Sequence, residues 1–325
     1  MNRIISVAAG LALACGALAG PLAAQDYPSK PVTLIVPFPP GGASDTIGRV
    51  TSQTMQPGFG ESIVVENKPG ANGALGAASV ARSAPDGYTL IAASIGTFGI
   101  NPALRSDLEY DPRKDLEMLT IAVRTPNALV TRPGLGAKTV EELVAKLKAE
   151  PDTLTFASSG TGSSDHLTAE LFWQVSETTG IHVPYKGGGP AQTDIMGGHA
   201  DVSFQNLGNI ANYVREGKME LLAITADERS PDFPDIPTMK ELGYDGLEVY
   251  SWQAFAAPKG LPPEVKAKLS EGLTSALKTP AVTEQFAKMG FTVVANDPAA
   301  ADAFVADEIG RWSKVIKDGN IQPEQ

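Results

Sequence analysis

The sequence predicts an α/β fold with two domains, and three observations lead to that prediction. The chain has 325 residues, which is more than one hydrophobic core usually organises. Short apolar runs rich in β-branched residues alternate along it with stretches of helical periodicity, a pattern typical of α/β proteins. Its 33 glycines and 25 prolines are spread along the chain, so they indicate many turns rather than a disordered segment.

The expected strands are short apolar runs bounded by turn-forming residues. The first of them, at 32–36, opens the region that follows an N-terminal leader. The others lie at 63–65, 89–93, 119–123, 153–157, 181–185, 202–204 and 221–225.

Three helices can be placed from their start signals and apolar faces. Thr139 and Glu142 form a capping box, in which each side chain can accept the backbone N–H of the other residue. The proline pair at 262–263 begins a second helix that stops before Pro280, and a third helix begins at about Ala299. The residues expected to be buried are Val140, Leu143, Val144 and Leu147 in the first helix, Val265, Leu269, Leu273 and Leu277 in the second, and Val305, Ile309, Trp312 and Ile316 in the third.

The first 24 residues predict a secretory signal peptide. A positive start at Arg3 is followed by an apolar stretch and then by small residues that favour cleavage after Ala24. The segment is too short, and too often interrupted by glycine, for a transmembrane helix. Cys15 is the only cysteine in the chain, and a lipid anchor at this residue is the lesser alternative. We therefore expect the mature protein in the periplasm.

Charge and hydropathy exclude two classes of function. Cleavage after Ala24 changes the net charge from −11 to −12, because Arg3 is the only charged residue removed. Such an acidic chain repels nucleic acid and anionic membranes. No apolar run after the leader approaches the roughly 18 residues that a bilayer span needs. The mature chain also has no cysteine for disulfide or thiol chemistry.

Three glycine-rich turns each follow an expected strand and precede an expected helix. They lie at 37–45, 158–166 and 184–190. Glycine lets the backbone approach a ligand closely, and the free N–H groups at a helix N-terminus attract an anion. In open α/β sheets, ligands bind beyond the carboxyl ends of the strands, where such turns lie. Two interpretations stay open: the turns form an anion-binding cleft, or they are only tight connections with helix caps.

Motifs of common enzyme classes are absent from the sequence. It contains no G-x-S-x-G, P-loop or H-E-x-x-H pattern, and His166, His182 and His199 lack the spacing of metal ligands. A hydrolase with a nucleophilic Ser163 beside His166 is an alternative of another class, although residues three apart on a helix rarely meet that geometry. We expect no enzymatic activity, no cofactor and no metal.

Several short motifs stand in the order found in one known family. Residues 67–71 read Asn-Lys-Pro-Gly-Ala, and residues 84–90 read Ala-Pro-Asp-Gly-Tyr-Thr-Leu. Further matching segments lie at 27–31, 35–38, 41–42, 101–102, 182–187, 197–201 and 257–262. On these motifs the whole mature sequence resembles the substrate-binding proteins of tripartite tricarboxylate transporters, also called the Bug family.

The resemblance implies a type II periplasmic-binding-protein fold: two α/β domains joined by a hinge of two crossing strands, with the ligand cleft between them. The first domain would combine residues 27–124 with 250–325, and the second would be residues 125–249. The implied ligand is a small mono-, di- or tricarboxylate, aromatic acids such as terephthalate included. The implied partners are membrane permease subunits, and a monomer is the default state. A sensory subunit that reports to a membrane kinase is the alternative.

Carried onto this sequence, the resemblance implies a site of backbone N–H groups, hydroxyls and water rather than an arginine clamp. The implied apolar wall consists of Phe38, Pro39 and Pro40. Lys186 is the one cation among the three glycine-rich turns. Gln205 stands where relatives often place an acid, and Ser-Asp-His at 164–166 replaces a more usual Pro-Ser-His, so no single acid is implied. The implied ligand-binding residues are Phe38, Pro40, Gly41, Gly42, Ala43, Ser44, Asp45, Ser94, Thr97, Ser158, Ser159, Gly160, Thr161, Ser163, His166, Tyr185, Lys186, Gly187, Asp201 and Asn206.

Overall fold

The computed structural model describes residues 27–323. The predicted signal peptide at 1–24 and the alternative lipid anchor at Cys15 lie outside the described residues. Strands and helices alternate through the described part of the chain, which confirms the predicted α/β class. None of the helices within residues 27–323 combines the length and the hydrophobicity that crossing a bilayer requires.

The described residues form ten strands and eleven α-helices, together with a 3-10 turn at Ala71–Gly73 and a π-helical turn at Gly96–Ile100. The strands are β1 (Val32–Val36), β2 (Ile63–Asn67), β3 (Thr89–Ser94), β4 (Leu116–Thr131), β5 (Thr155–Ser158), β6 (Ile181–Pro184), β7 (Val202–Asn206), β8 (Glu220–Ile224), β9 (Tyr250–Pro258) and β10 (Thr292–Val293). The helices are α1 (Ala43–Phe59), α2 (Ala74–Ala81), α3 (Asn101–Leu104), α4 (Pro112–Asp115), α5 (Val140–Ala149), α6 (Ser164–Ser176), α7 (Gly188–Gly197), α8 (Leu207–Arg215), α9 (Pro263–Leu277), α10 (Pro280–Lys288) and α11 (Pro298–Asp318).

The strands pair in the order β2-β1-β3-β9-β4-β7-β5-β6, and β8 and β10 also pair with β4. The pairs within β1–β3 and those that join β5 to β6 and β7 are parallel, whereas β9 runs antiparallel to β3 and β4. Parallel neighbours require crossover connections, and helices supply them here. We call β1–β3, β9 and β10 with their helices the first lobe, and β5–β8 with α5–α8 the second lobe.

Strand β4 belongs to both lobes, because its two halves pair with different partners. Its first half, through Pro126, pairs with β9, and its second half, from Asn127, pairs with β7 and β8. Nearly all of its 16 residues are buried. Two α/β lobes joined in this way form the two-domain fold that was predicted. The exact domain boundaries, after residues 124 and 249, stay a prediction.

Each lobe has hydrophobic clusters on both faces of its part of the sheet. In the first lobe, Trp252 lies in the cluster against α11, and Phe286 lies in the cluster with α9 and α10. In the second lobe, Phe172 of α6 and Ile195 of α7 lie in separate clusters. Strands covered on both faces are apolar along their whole length, which is why continuous apolar runs marked most of them in the sequence.

The three helices placed from the sequence are present as α5, α9 and α11. The Thr139 hydroxyl accepts the Glu142 N–H at 3.2 Å, but the Glu142 carboxylate accepts from Lys138 N–H, so only half of the capping box forms. Helix α11 starts one residue earlier than expected, at Pro298, with Asp297 as its cap. The predicted apolar residues are buried, except that Val144 is only partly so.

Two strands that join the lobes were misjudged from the sequence. The expected strand 119–123 covers less than half of β4, because Pro126 interrupts the apolar run. Strand β9 was not among the strands expected from apolar runs, because Ser251 and Gln253 break its hydrophobic pattern, although the resemblance implied a crossing strand near residue 250. The expected strand 153–157 begins two residues later, at Thr155.

We expect Glu308→Leu to lower the free energy of unfolding by about 2–6 kcal/mol. The buried Glu308 carboxylate accepts the indole N–H groups of Trp252 (2.9 Å) and Trp312 (3.1 Å), and leaving each donor without an acceptor costs about 1–3 kcal/mol. Urea denaturation measures the loss. Glu308→Gln keeps a carbonyl acceptor and is the matched control, so equal losses for both variants would contradict this account.

Candidate functional site

A polar cavity of about 510 Å³ lies between the two lobes. Four helices begin at its wall: α1 at Ala43, α6 at Ser164, α7 at Gly188, and α8 directly after Asn206. The first N–H groups of a helix have no partner within the helix, and the helix dipole places positive potential there. The cavity is therefore surrounded by hydrogen-bond donors from both lobes.

The charge of the cavity wall is unusual for an anion site. Among the residues of the described chain that line it, none is lysine or arginine, and Asp165 is the single ionisable residue. Positive potential at this place therefore comes from backbone dipoles rather than from side-chain cations.

Nine of the residues implied by the sequence line this cavity. Pro39, expected in the apolar wall, lines it as well. The nine residues are Phe38, Pro40, Gly42, Ala43, Ser44, Ser94, Ser159, Ser163 and Asn206. Two of the three glycine-rich turns thus meet across the cleft, and the third contributes through Gly188 at the start of α7.

Asp45 supports the first turn from behind rather than lining the cavity. Its carboxylate accepts hydrogen bonds from Gly41 N–H (2.9 Å), Asn67 Nδ2 (2.8 Å) and Arg49 Nε (3.0 Å). Burial alone would raise the pKa of Asp45, but these hydrogen bonds outweigh burial and hold that pKa below its ordinary value. The ionised carboxylate therefore orders the turn in which Gly41 takes a positive φ of 85°.

Asp165 plays the corresponding part in the second lobe. Its carboxylate accepts from both the N–H (2.7 Å) and the hydroxyl (2.6 Å) of Ser159. The Ser163 hydroxyl donates to the Gly160 carbonyl, so Gly160 belongs to the frame of this turn and not to the cavity wall. Each lobe therefore holds its ligand turn with an aspartate from the first turn of the following helix.

His166 and His182 pack together behind the second turn, and neither forms a catalytic pair with Ser163. His166 Nδ1 accepts from Gly162 N–H at 3.2 Å, and its ring stacks on His182 with centroids 3.7 Å apart. Ser158 is hydrogen-bonded to His182 Nε2 at 2.7 Å. Burial and the nearby His166 lower the pKa of His182 to about 3. The Gly162 N–H occupies His166 Nδ1, and the Ser163 hydroxyl donates to the Gly160 carbonyl. The hydrogen bond that a Ser163–His166 nucleophile would need is therefore not formed.

Four residues expected at the ligand lie elsewhere. Asp201 precedes β7, at the end of the strand opposite Asn206, and its carboxylate binds Arg132 Nε at 2.8 Å and Thr155. The Tyr185 hydroxyl donates to Asp194 at 2.7 Å, and burial together with Asp194 raises the pKa of Tyr185 to about 12. Lys186 and Gly187 are outside the cavity wall, and Lys186 is exposed. Asp201 and Tyr185 thus have protein partners and Lys186 faces solvent, so the structure does not bring these residues to the cavity wall.

Thr97 and Thr161, also expected at the ligand, do not line the cavity. Thr97 is fully buried, and its hydroxyl donates to the Asn72 carbonyl at 3.4 Å. Thr161 lines a separate small cavity with Asn101 and Arg105.

Four residues of the cavity wall lie outside every segment that sequence reasoning assigned to the site. Asn72 has a left-handed backbone (φ 50°), and its amide donates across the cleft to the Gly162 carbonyl at 3.4 Å. Gln253 of β9 accepts the Ser44 hydroxyl at 2.6 Å. The one signal for Asn72 was its place in a Gly-Ala-Asn-Gly segment, since asparagine tolerates left-handed turns. The four are Asn72, Asn209, Ser251 and Gln253; the other lining residues not singled out beforehand lie in the glycine-rich turns (Ser164, Asp165, Gly188), between the implied Ser94 and Thr97 (Ile95, Gly96), or at the already noted Gln205.

Two α/β lobes that share crossing strands, with a polar cavity between them, define the class of periplasmic solute-binding proteins. The profile of the family TctC, described as tripartite tricarboxylate transporter family receptor, matches residues 47–321. The chain belongs to this family.

Relatives and solved structures agree with this assignment. Protein BugT of Bordetella pertussis is 38% identical over 320 residues, which cover 98% of this chain and 98% of BugT. The structure of R. palustris Rpa4515 with adipate is similar with a TM-score of 0.81 and 31% identity, over 92% of this chain and all of that one. MatC from Rhodopseudomonas palustris with bound malate is similar with a TM-score of 0.78 and 33% identity, over 89% of this chain and 100% of that one. Members of this family are substrate-binding receptors and not enzymes, and so is this protein.

We expect Asp45→Asn to lower the free energy of unfolding by about 2 kcal/mol at pH 7, because hydrogen bonds to an ionised group are worth about that much. The folded pKa of Asp45 lies below its ordinary value, and the unfolded pKa is about 3.9. The stabilisation is therefore fully present above the unfolded pKa and is lost as the pH falls through the folded pKa. Urea denaturation at pH 7 and in acid checks both statements. Asp318→Asn on the surface is the control, and a loss for Asp45→Asn that persists unchanged in acid would contradict them.

Proposed function

We propose that this receptor captures a small carboxylate between its lobes and delivers it to the permease subunits of a tripartite tricarboxylate transporter. One observation carries the proposal: four helix N-termini, from both lobes, begin at a single cavity with no lysine or arginine among the described residues that line it. Such N-termini attract anions. Because a receptor must release its ligand as well as bind it, a wall without lysine or arginine suits this role.

A single carboxylate group suits each helix N-terminus of this cavity better than a phosphate group. Each helix N-terminus stabilises a negative charge by about 0.3–1 kcal/mol, and by more when it is partly buried. The nearby Asp165 carboxylate repels each anionic group of a ligand in proportion to the charge on that group. A phosphate concentrates nearly two charges in one group, so it would meet more of this repulsion than a carboxylate group does, and the described residues of the wall include no lysine or arginine to offset it.

The distribution of donors favours an acid with a carboxylate at each end. Helix α1 lies in the first lobe, and helices α6, α7 and α8 lie in the second, so donors stand on both sides of the cavity. Phe38, Pro39 and Pro40 supply apolar surface for a methylene chain or an aromatic ring. The acids in the solved relatives, adipate in Rpa4515 and malate in MatC, both have two carboxylates. We therefore place aliphatic dicarboxylates first, and keep tricarboxylates and terephthalate within the class.

We further propose that the lobes, residues 27–124 with 250–325 and residues 125–249, turn about β4 and β9 when the ligand binds. These two strands pair over most of the length of β9, and β4 continues into the second lobe. A ligand that touches both walls has more contacts in the closed state, so it shifts the population towards closure. The permease would then recognise the closed form.

A thermal-shift screen of the mature protein against a panel of carboxylates tests the proposed ligand class. We expect one or more dicarboxylates to raise the melting temperature by several degrees, because a ligand at 1,000 times its Kd adds about 4 kcal/mol. The panel includes succinate, malate, adipate, citrate, terephthalate and inorganic phosphate. A shift with phosphate and with no carboxylate would contradict the proposal.

Titration calorimetry on Ser94→Ala and Asn206→Ala locates the site. These residues line opposite lobes of the cavity, and loss of one hydrogen bond, worth about 1 kcal/mol, weakens binding by about fivefold. Ser313→Ala, at an exposed position of α11, is the matched control and keeps wild-type affinity. Wild-type affinity in both cavity variants would place the ligand elsewhere.

Uptake of the labelled acid by cells that contain the permease, with and without the receptor, tests delivery and separates transport from sensing.

A further inference from the structure

Two glycines from different lobes touch each other beside the cavity. Gly208 is the second residue of α8 in the second lobe, and Gly290 lies in the turn between α10 and β10 in the first lobe. A Cβ atom added to Gly208 would stand 2.3 Å from the Met289 carbonyl oxygen and 2.5 Å from the Gly290 Cα. A Cβ added to Gly290 would stand 2.1 Å from the Gly208 Cα. The two backbones are therefore in direct contact, with no side chain between them.

The position of this contact ties it to the ligand cavity. Gly208 stands between Asn206 and Asn209, and both of these residues line the cavity. On its other side, Gly208 and Gly290 line a second inter-lobe cavity, of about 520 Å³. The contact thus forms the partition between the two cavities. A change in the distance between the two backbones would therefore move the first turn of α8, with the cavity-lining Asn206 and Asn209, relative to the first lobe.

Gly208 has no conformational reason to be glycine. Its backbone is helical, where alanine is favoured over glycine by roughly 0.5–1 kcal/mol in general, whereas Gly290 has a positive φ of 75° that itself favours glycine. Ordinary contacts between carbon atoms are about 3.5–4 Å. A methyl group at Gly208 would therefore require the lobes to stand farther apart by about 1 Å or more.

We propose that the Gly208–Gly290 contact sets the width of the closed cleft and thereby selects the length of the acid that the receptor binds. This inference rests on the proposed carboxylate function and names the residues that determine specificity within it. With two glycines in contact, both walls reach a short acid. With a side chain between them, the cleft closes less far, and only a longer acid spans it.

The test compares Gly208→Ala with Gly310→Ala across a series of dicarboxylates from four to eight carbons. Gly310 also has helical backbone, at an exposed position of α11, and an added Cβ there meets nothing within 4 Å, so it controls for helix propensity. We expect Gly208→Ala to weaken binding of the preferred wild-type acid by about tenfold, since overpacking a fixed contact has an effect of that order. The preference should move towards longer acids, while the melting temperature without ligand stays the same or rises.

A second measurement does not depend on any ligand. Residues 25–325 contain no cysteine, so Leu75→Cys in the first lobe and Thr193→Cys in the second, both exposed, carry spin labels. We expect pulsed electron resonance to give a longer distance between the labels in Gly208→Ala than in wild type or Gly310→Ala.

The outcomes separate this inference from the proposed function. If wild type binds dicarboxylates and Gly208→Ala binds the same series with unchanged preference and label distance, the inference is wrong and the function stands. If no carboxylate binds to wild type, the proposed function fails, and the label distance alone decides whether the glycine contact sets the cleft width. A lower melting temperature for Gly208→Ala without ligand would show a general packing defect and would also overturn the inference.

Discussion

Strand β4 pairs with two different sets of strands, and the rest of the architecture depends on that pairing. Its first half is held by β9 in the first lobe, and its second half by β7 and β8 in the second. Because this buried strand is hydrogen-bonded to partners in both lobes, the lobes cannot separate there without losing those bonds. The proposed closure is therefore a rotation about this strand. The ligand cavity opens beside this shared strand, where β9 contributes Ser251 and Gln253 to its wall.

The proposed attraction of this cavity for an anion comes from geometry rather than from charged side chains. Helix N-termini supply free N–H groups whose positions are fixed by the fold, so little ordering of side chains is needed when a ligand arrives. Asp45 and Asp165 contribute indirectly, since each carboxylate accepts hydrogen bonds from the ligand turn before its helix. Two negative charges therefore shape a site for a negative ligand, because their hydrogen bonds are directed at the frame and the helix dipoles offset their charge.

The fold and much of the site were predictable because their signals are local. Periodic apolar residues and helix caps placed α5, α9 and α11, and glycine-rich turns after apolar strands located two walls of the cavity. The misses share a different physical origin. Asp201 and Tyr185 were expected at the ligand, but Arg132, Thr155 and Asp194, which are distant or unremarkable in the sequence, take up their polar atoms. Sequence spacing cannot show which partner a polar side chain finds.

The sequence by itself determined the α/β class and the glycine-rich turns that begin helices, because short-range sterics and hydrophobic periodicity encode them, and its short motifs indicated the family by resemblance. Only the tertiary structure decided which turns face one cavity, since strand order and crossover direction control that. It also placed Gly208 against Gly290, although 82 positions separate them in the chain. Each glycine alone reads as an ordinary turn or helix residue. Their contact exists only because the shared strand brings the lobes together at that distance.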